Sequence, residues 1–125
     1  MATETKLTAR LVKSWVQMGY EVISIHGNQF QAPGWPDVFV CGTLYTGFIE
    51  FKGRTTPTQP NQTRILTALE KSPVPACVVR FLCVKGELWS MQAECAAGAT
   101  LRCFALAGPD GRIAASLLRE LGGLL

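Results

Sequence analysis

The sequence predicts a single α/β domain, a mixed sheet flanked by helices in the order helix, three strands, helix, strand. Three observations lead there. The chain has 125 residues, the length of one domain with a real hydrophobic core. Its opening segment repeats apolar residues at three-to-four spacing, whereas several later segments alternate or run apolar for the length of a strand. Clusters of Gly, Pro and Thr punctuate these segments, and no repeat, low-complexity tract or linker divides the domain.

Residues from about Thr3 to Met18 read as a helix, because Leu7, Leu11, Trp15 and Met18 share one face and Gly19 is a stop. Tyr20 to Ile25 alternates and is β-branched, so it reads as a strand, with a polar loop from Gly27 to Gly34 after it. A hairpin follows, Asp37 to Cys41 out and Gly47 to Lys52 back, with its turn within Gly42 to Thr46. A second helix is expected over about Pro60 to Lys71, since proline suits the first helical turn and Pro73 and Pro75 end the pattern. Ala76 to Val84 reads as a buried strand and Lys85-Gly86 as a turn before Glu87 to Gln92. In the tail we expect a strand over Leu101 to Leu106, a turn over Gly108 to Gly111 and a short helix over Ile113 to Leu121. The core is expected to span about residues 4–84, with a C-terminal extension from about 85.

Composition limits the function classes. The formal charge is only +3, so a nucleic-acid role requires local basic patches rather than a general basic surface. The mean hydropathy of +0.20 favours self-association. The longest apolar run is broken by Arg80 and is far too short for a membrane span. Cys41, Cys77, Cys83, Cys95 and Cys103 include no C-x-x-C pair and are joined by a single histidine, His26, which argues against zinc and iron–sulfur centres. The odd number of cysteines and a polar start, Met1 to Lys6, rather than an apolar export segment, point to a reducing, intracellular and cytoplasmic setting.

The chemistry concentrates in Gly34-Trp35-Pro36-Asp37 and Ile49-Glu50-Phe51-Lys52. Alternate strand residues share a face, so Glu50 and Lys52 point together, roughly 7 Å apart along the backbone, while Ile49 and Phe51 turn to a core. A hairpin centred near Thr43 or Leu44 sets Asp37 opposite Glu50 to Lys52. Two carboxylates and an ammonium then converge, a set suited to phosphodiester hydrolysis. Carboxylates are hard ligands for Mg²⁺ or Mn²⁺, and the backbone carbonyl of Phe51 offers a further oxygen. Lysine serves as a fixed cation that orients water or stabilises the transition state. A second Pro-Asp pair, Pro109-Asp110, has no Glu-x-Lys after it and reads as a turn.

Further residues extend this constellation. Glu4 falls on the inward stripe of the first helix, either directed at the site or in a frayed first turn where it complements the helix dipole. Gln62 opens the second helix, facing the site or capping the helix. Lys6, Arg10 and Lys13 share one face of the first helix, Arg54 follows the active strand and Arg64 lies on the second helix; these are candidate DNA phosphate contacts, with a solvated face as the alternative for the Lys6 stripe. His26 reads as structural, and Trp35 as a packing residue.

Taken in order, Glu4, then Gly34-x-Pro36-Asp37, then Phe48-Ile49-Glu50-Phe51-Lys52, then Gln62 resemble the PD-(D/E)XK nuclease superfamily, and within it the stand-alone, phage-like VRR-NUC domains. The likeness covers about Glu4 to Leu82; the segment from Glu87 onward has no counterpart. It implies a restriction-endonuclease-like α-β-β-β-α-β core with Asp37 and Glu50 as metal ligands and Glu4 supporting them; with the Phe51 carbonyl, Glu4, Asp37 and Glu50 are the expected oxygens about the metal. Asp37, Glu50 and Lys52 would be catalytic, and Gln62 would support them. It also implies a homodimer acting on branched DNA such as four-way junctions. The expected function is therefore a divalent-metal-dependent endonuclease, with a flap or sequence-specific nuclease and a non-catalytic DNA-binding module as the alternatives.

Overall fold

A computed structural model describes residues 3–25 and 33–124. The expected histidine, His26, and most of the loop expected over Gly27 to Gly34 lie outside the described residues. The elements run α1 (Glu4–Gln17), β1 (Glu21–Ser24), β2 (Val38–Cys41), β3 (Gly47–Lys52), α2 (Pro60–Glu70), β4 (Ala76–Lys85), β5 (Leu88–Glu94), β6 (Thr100–Ala107) and α3 (Asp110–Gly122). The six strands form one sheet in chain order. Among the described residues only β3 and β4 pair in parallel, which is why a helix, α2, carries the chain between them. The expected α/β class with a mixed sheet flanked by helices therefore holds.

The two faces of the sheet differ in chemistry. On one face Leu7, Leu11 and Trp15 of α1 and Ile113, Leu117, Leu118 and Leu121 of α3 bury against Ile49, Phe51, Val79, Phe81 and Met91. Aromatic rings run through this layer: Trp15 stacks on Phe51 at 6.2 Å, and Phe51 on Phe81 at 5.7 Å. Trp15 Nε1 donates to the Ala114 carbonyl oxygen at 2.9 Å, tying α1 to α3. On the other face Leu66 of α2 buries with Val78 and Ala96 in a much smaller cluster. That face is left to polar residues over the middle of the sheet.

Two expectations need correction. The residues after about 85 are no extension of a finished core: β5 and β6 continue the sheet, and Trp89, Met91 and the inward stripe of α3 are fully buried. The second Pro-Asp pair is no free turn either. Gly108 takes the positive φ that makes the bend, Pro109 caps, and Asp110 opens α3, two residues before Arg112 and three before the expected start. An aspartate in the first turn suits the positive end of the helix dipole, a start signal that outweighs the turn propensity of Pro-Asp-Gly.

Asp110 also claims Arg10. Arg10 Nε and Nη2 donate to Asp110 Oδ2 and Oδ1 at 2.9 and 2.7 Å, and the guanidinium lies 4.9 Å over the Trp89 ring. The pair holds the Asp110 carboxyl below its usual range, through hydrogen bonding to Arg10 first. Both side chains are more than a third exposed, so solvent weakens the attraction. Arg10→Ala is expected to destabilise the fold by about 1 kcal/mol, from a screened ion pair plus a cation–π contact, as read by urea unfolding. No change beyond experimental error would mean that the pair contributes nothing. Among the described residues no helix is long and apolar enough to cross a membrane.

Candidate active site

The β2–β3 hairpin assembles the site. Its register pairs Val38 with Ile49 and Val40 with Gly47, so Asp37, one residue beyond the β2 ladder, falls level with Glu50 and Phe51. This is the alignment expected from a turn centred near Thr43 and Leu44. Two contacts fix Asp37 in place. Its carbonyl oxygen accepts from Ile25 N–H at 2.8 Å, and its Oδ2 accepts from Phe51 N–H at 2.7 Å. The preceding Gly34 has φ +97°, and a Cβ there would come within 2.7 Å of the Asn61 carbonyl oxygen. Glycine is required where the motif passes the start of α2. Trp35 packs on Phe48 at 5.7 Å, as expected of a packing residue.

Glu50 and Lys52 share the polar face and are almost fully buried, 2% and 5% exposed. Lys52 Nζ lies 3.4 Å from Glu50 Oε2 and donates to Gln62 Oε1 at 2.7 Å. Gln62 Nε2 in turn donates to Glu50 Oε2. Gln62 Oε1 also accepts from Gln59 N–H at 2.9 Å, so the two expected roles, site residue and helix cap, are performed by one side chain. Burial, then the neighbouring Asp37 charge, push the Glu50 carboxyl up to about 8, against the opposing pull of Lys52. Two carboxylates thus lie side by side on a buried face with one ammonium to neutralise them.

The remaining expected residues divide. Glu4 Oε2 accepts from Gly53 N–H at 2.9 Å, and Glu4 and Asp37 line one cleft with Thr8 and Ser24. Thr3 Oγ1 accepts from Lys6 N–H at 3.3 Å, so the first turn of α1 is capped rather than frayed. Glu4 is an anchor for the turn after Lys52, and among the described residues no three of His, Cys, Asp and Glu gather as a ligand cluster. Lys6, Lys13, Arg54 and Arg64 are exposed. Arg10, on the basic stripe expected on α1, is engaged in its ion pair with Asp110, which Lys13 also approaches.

Three residues of this face were not singled out by the sequence reading. Arg80 stands beside Lys52 in the parallel β3–β4 ladder. Its Nε and Nη2 donate to Glu94 Oε2 and Oε1 at 2.7 and 3.2 Å, and Gln92 Nε2 donates to the same Glu94 Oε2. Burial raises the Glu94 carboxyl, but hydrogen bonds from Arg80 and Gln92 outweigh it and leave the group below its usual range. The available signal was Arg80 itself, a lone cation inside an otherwise apolar strand.

No protein-family model matches the chain, and no curated protein or solved structure matches it at a significant level.

The donor set fits a hard divalent cation. Mg²⁺ and Mn²⁺ sites often use one or two carboxylates and keep several waters, so Asp37 and Glu50 suffice without a third. The raised Glu50 carboxyl is what a buried carboxylate beside the half-buried Asp37 produces in want of a positive charge. A strand residue directs its N–H and C=O to the same side, so the Phe51 carbonyl faces the side from which its N–H reaches Asp37.

Proposed function

We propose that the chain is a divalent-metal-dependent DNA endonuclease of the PD-(D/E)XK type, with Asp37, Glu50 and Lys52 at its centre. The observation that carries the reading is the convergence of these three side chains, with Gln62 bridging Glu50 and Lys52, on one buried face of the sheet. The order α1-β1-β2-β3-α2-β4 supports a restriction-endonuclease-like core. Bound Mg²⁺ or Mn²⁺ supplies a Lewis acid that acidifies water and offsets charge on the phosphate. Asp37 and Glu50 would hold it, with the Phe51 carbonyl as a further oxygen. Lys52, whose ammonium is fixed by Gln62, stands ready as a cation for the attacking water or the pentacoordinate phosphorus of the transition state, with no reorganisation needed at the moment of reaction. Branched DNA, a four-way junction ahead of a flap, is the substrate class we favour. A symmetric homodimer would set two such sites on opposing strands, and exposed Val16, Ile23, Leu88 and Leu101 support self-association.

The test compares wild type with Asp37→Ala on labelled four-way junction, flap, linear duplex and single-stranded DNA, with Mg²⁺, Mn²⁺ or EDTA. Metal-dependent cutting that disappears in Asp37→Ala is expected, with symmetric nicks in the junction. Binding without cutting under any metal would replace the nuclease with a DNA-binding module.

A further inference from the structure

The turn that follows Lys52 is gripped from two sides. From α1, Glu4 Oε2 accepts the Gly53 N–H at 2.9 Å. From β4, Arg80 Nη1 donates to the carbonyl oxygens of Gly53 and Thr56 at 2.7 and 2.6 Å. Arg80 is itself oriented by the two-point contact with Glu94, which is only 4% exposed. The turn closes through a Thr56 N–H to Gly53 carbonyl contact at 3.4 Å. Even a methyl group on Gly53 would meet Thr56 Oγ1 at 3.1 Å and Glu4 Oε2 at 3.2 Å. Arg80, largely buried in its strand, places one nitrogen against both turn carbonyls, so the shape of this exposed turn is tied to the buried Arg80–Glu94 pair. The turn presents Arg54, Thr55 and Thr56 to solvent immediately beside Lys52.

We infer that Arg80 is a positioning residue: held by Glu94, it fixes the Gly53–Thr56 turn so that Arg54 meets a backbone phosphate of the DNA next to the scissile one. The inference rests on the nuclease reading for its ligand and adds to it a turn and the residue that shapes it. A flexible turn would spend part of the Arg54 contact on ordering itself, whereas a clamped one presents the guanidinium already in place. Lysine cannot replace Arg80, because one ammonium cannot engage both Glu94 oxygens and two carbonyl oxygens in a planar fork.

The test is a double-mutant cycle of Arg54→Ala and Arg80→Lys, read as binding of labelled four-way junction and linear duplex in EDTA across a salt series. Arg80→Lys keeps a cation beside Glu94, so no buried carboxylate is orphaned. If it fails to fold, Arg80→Met with Glu94→Leu removes both charges and serves in its place. Arg54→Ala is expected to weaken binding about tenfold in the wild type and under about twofold once Arg80 is replaced. Equal factors in both backgrounds, with cleavage intact, would overturn the inference and leave the nuclease. A wild type that binds no DNA would overturn both together. Coupled binding with no cleavage would uphold the turn and sink only the catalytic reading.

Discussion

Lys52→Met is expected to slow cleavage by about 10²–10³-fold at saturating metal and DNA, the loss typical of one preorganised charge at the reacting centre. The substitution keeps the length and apolar stem of the side chain, so burial against the sheet is preserved while the ammonium is removed. Lys52 is 5% exposed and anchored by Gln62 Oε1 at 2.7 Å, so water cannot take its place easily. Arginine should not rescue, because a larger planar group cannot occupy the space between Glu50 and Gln62. The measurement is a single-turnover rate on preformed protein–DNA complex started with Mg²⁺. Saturating metal matters, since loss of the ammonium also removes the pull of Lys52 against the high carboxyl of Glu50. A variant within about threefold of wild type, well below the expected effect, would take Lys52 out of the chemistry.

The hairpin at the centre of the site was legible in the sequence for a physical reason. Strand alternation is a strict period of two, so Glu50 and Lys52 had to share a face once Ile49 and Phe51 were inside, and the short turn fixed Asp37 opposite them. The helices α1 and α2 were legible in the same way, from apolar stripes and a proline at a helix start. Gln62 was read as a choice between two roles because sequence spacing cannot reveal that one amide has enough donors and acceptors for both.

What stayed hidden depends on contacts between distant segments. Arg80 and Glu94 look like ordinary charges until β4 lies between β3 and β5, which brings Arg80 level with Lys52 on one side and Gln92 on the other. Glu4 was placed on the correct stripe, yet its partner is a backbone N–H of Gly53, a donor the sequence does not display. Arg10 lies on the stripe with Lys6 and Lys13, and only the packing of α3 on α1 shows its partner, Asp110. The tail after residue 85 was underestimated because no family pattern guided it, although Ile113, Leu117, Leu118 and Leu121 carry a clear helical stripe that needed a sheet to cover.

In the metal-free protein, stability is expected to fall as the pH rises from about 5 to about 8. The Glu50 carboxyl is raised in the folded state, by burial and by Asp37, to about 8 from its ordinary 4.5. Below the ordinary value both states hold the proton and the group contributes no penalty. Between the two values only the folded state holds it, so each rise in pH favours unfolding, and the loss levels off above the folded value. The slope is at most about 1.4 kcal/mol per pH unit. Glu50→Gln carries no proton to lose and still accepts the Gln62 amide, so its profile should be flat over the same window. At the alkaline end it should exceed the EDTA-treated wild type by on the order of 2 kcal/mol in urea unfolding, while cleaving no DNA. Mg²⁺ binds the ionised pair, so it should restore wild-type stability at the alkaline end and leave Glu50→Gln little changed. A residue that lowers stability until a cation arrives, and whose removal stabilises the fold as it abolishes cutting, is one retained for chemistry. A flat wild-type profile without metal would mean that Asp37 and Glu50 do not strain one another, and the case for a cation between them would fail.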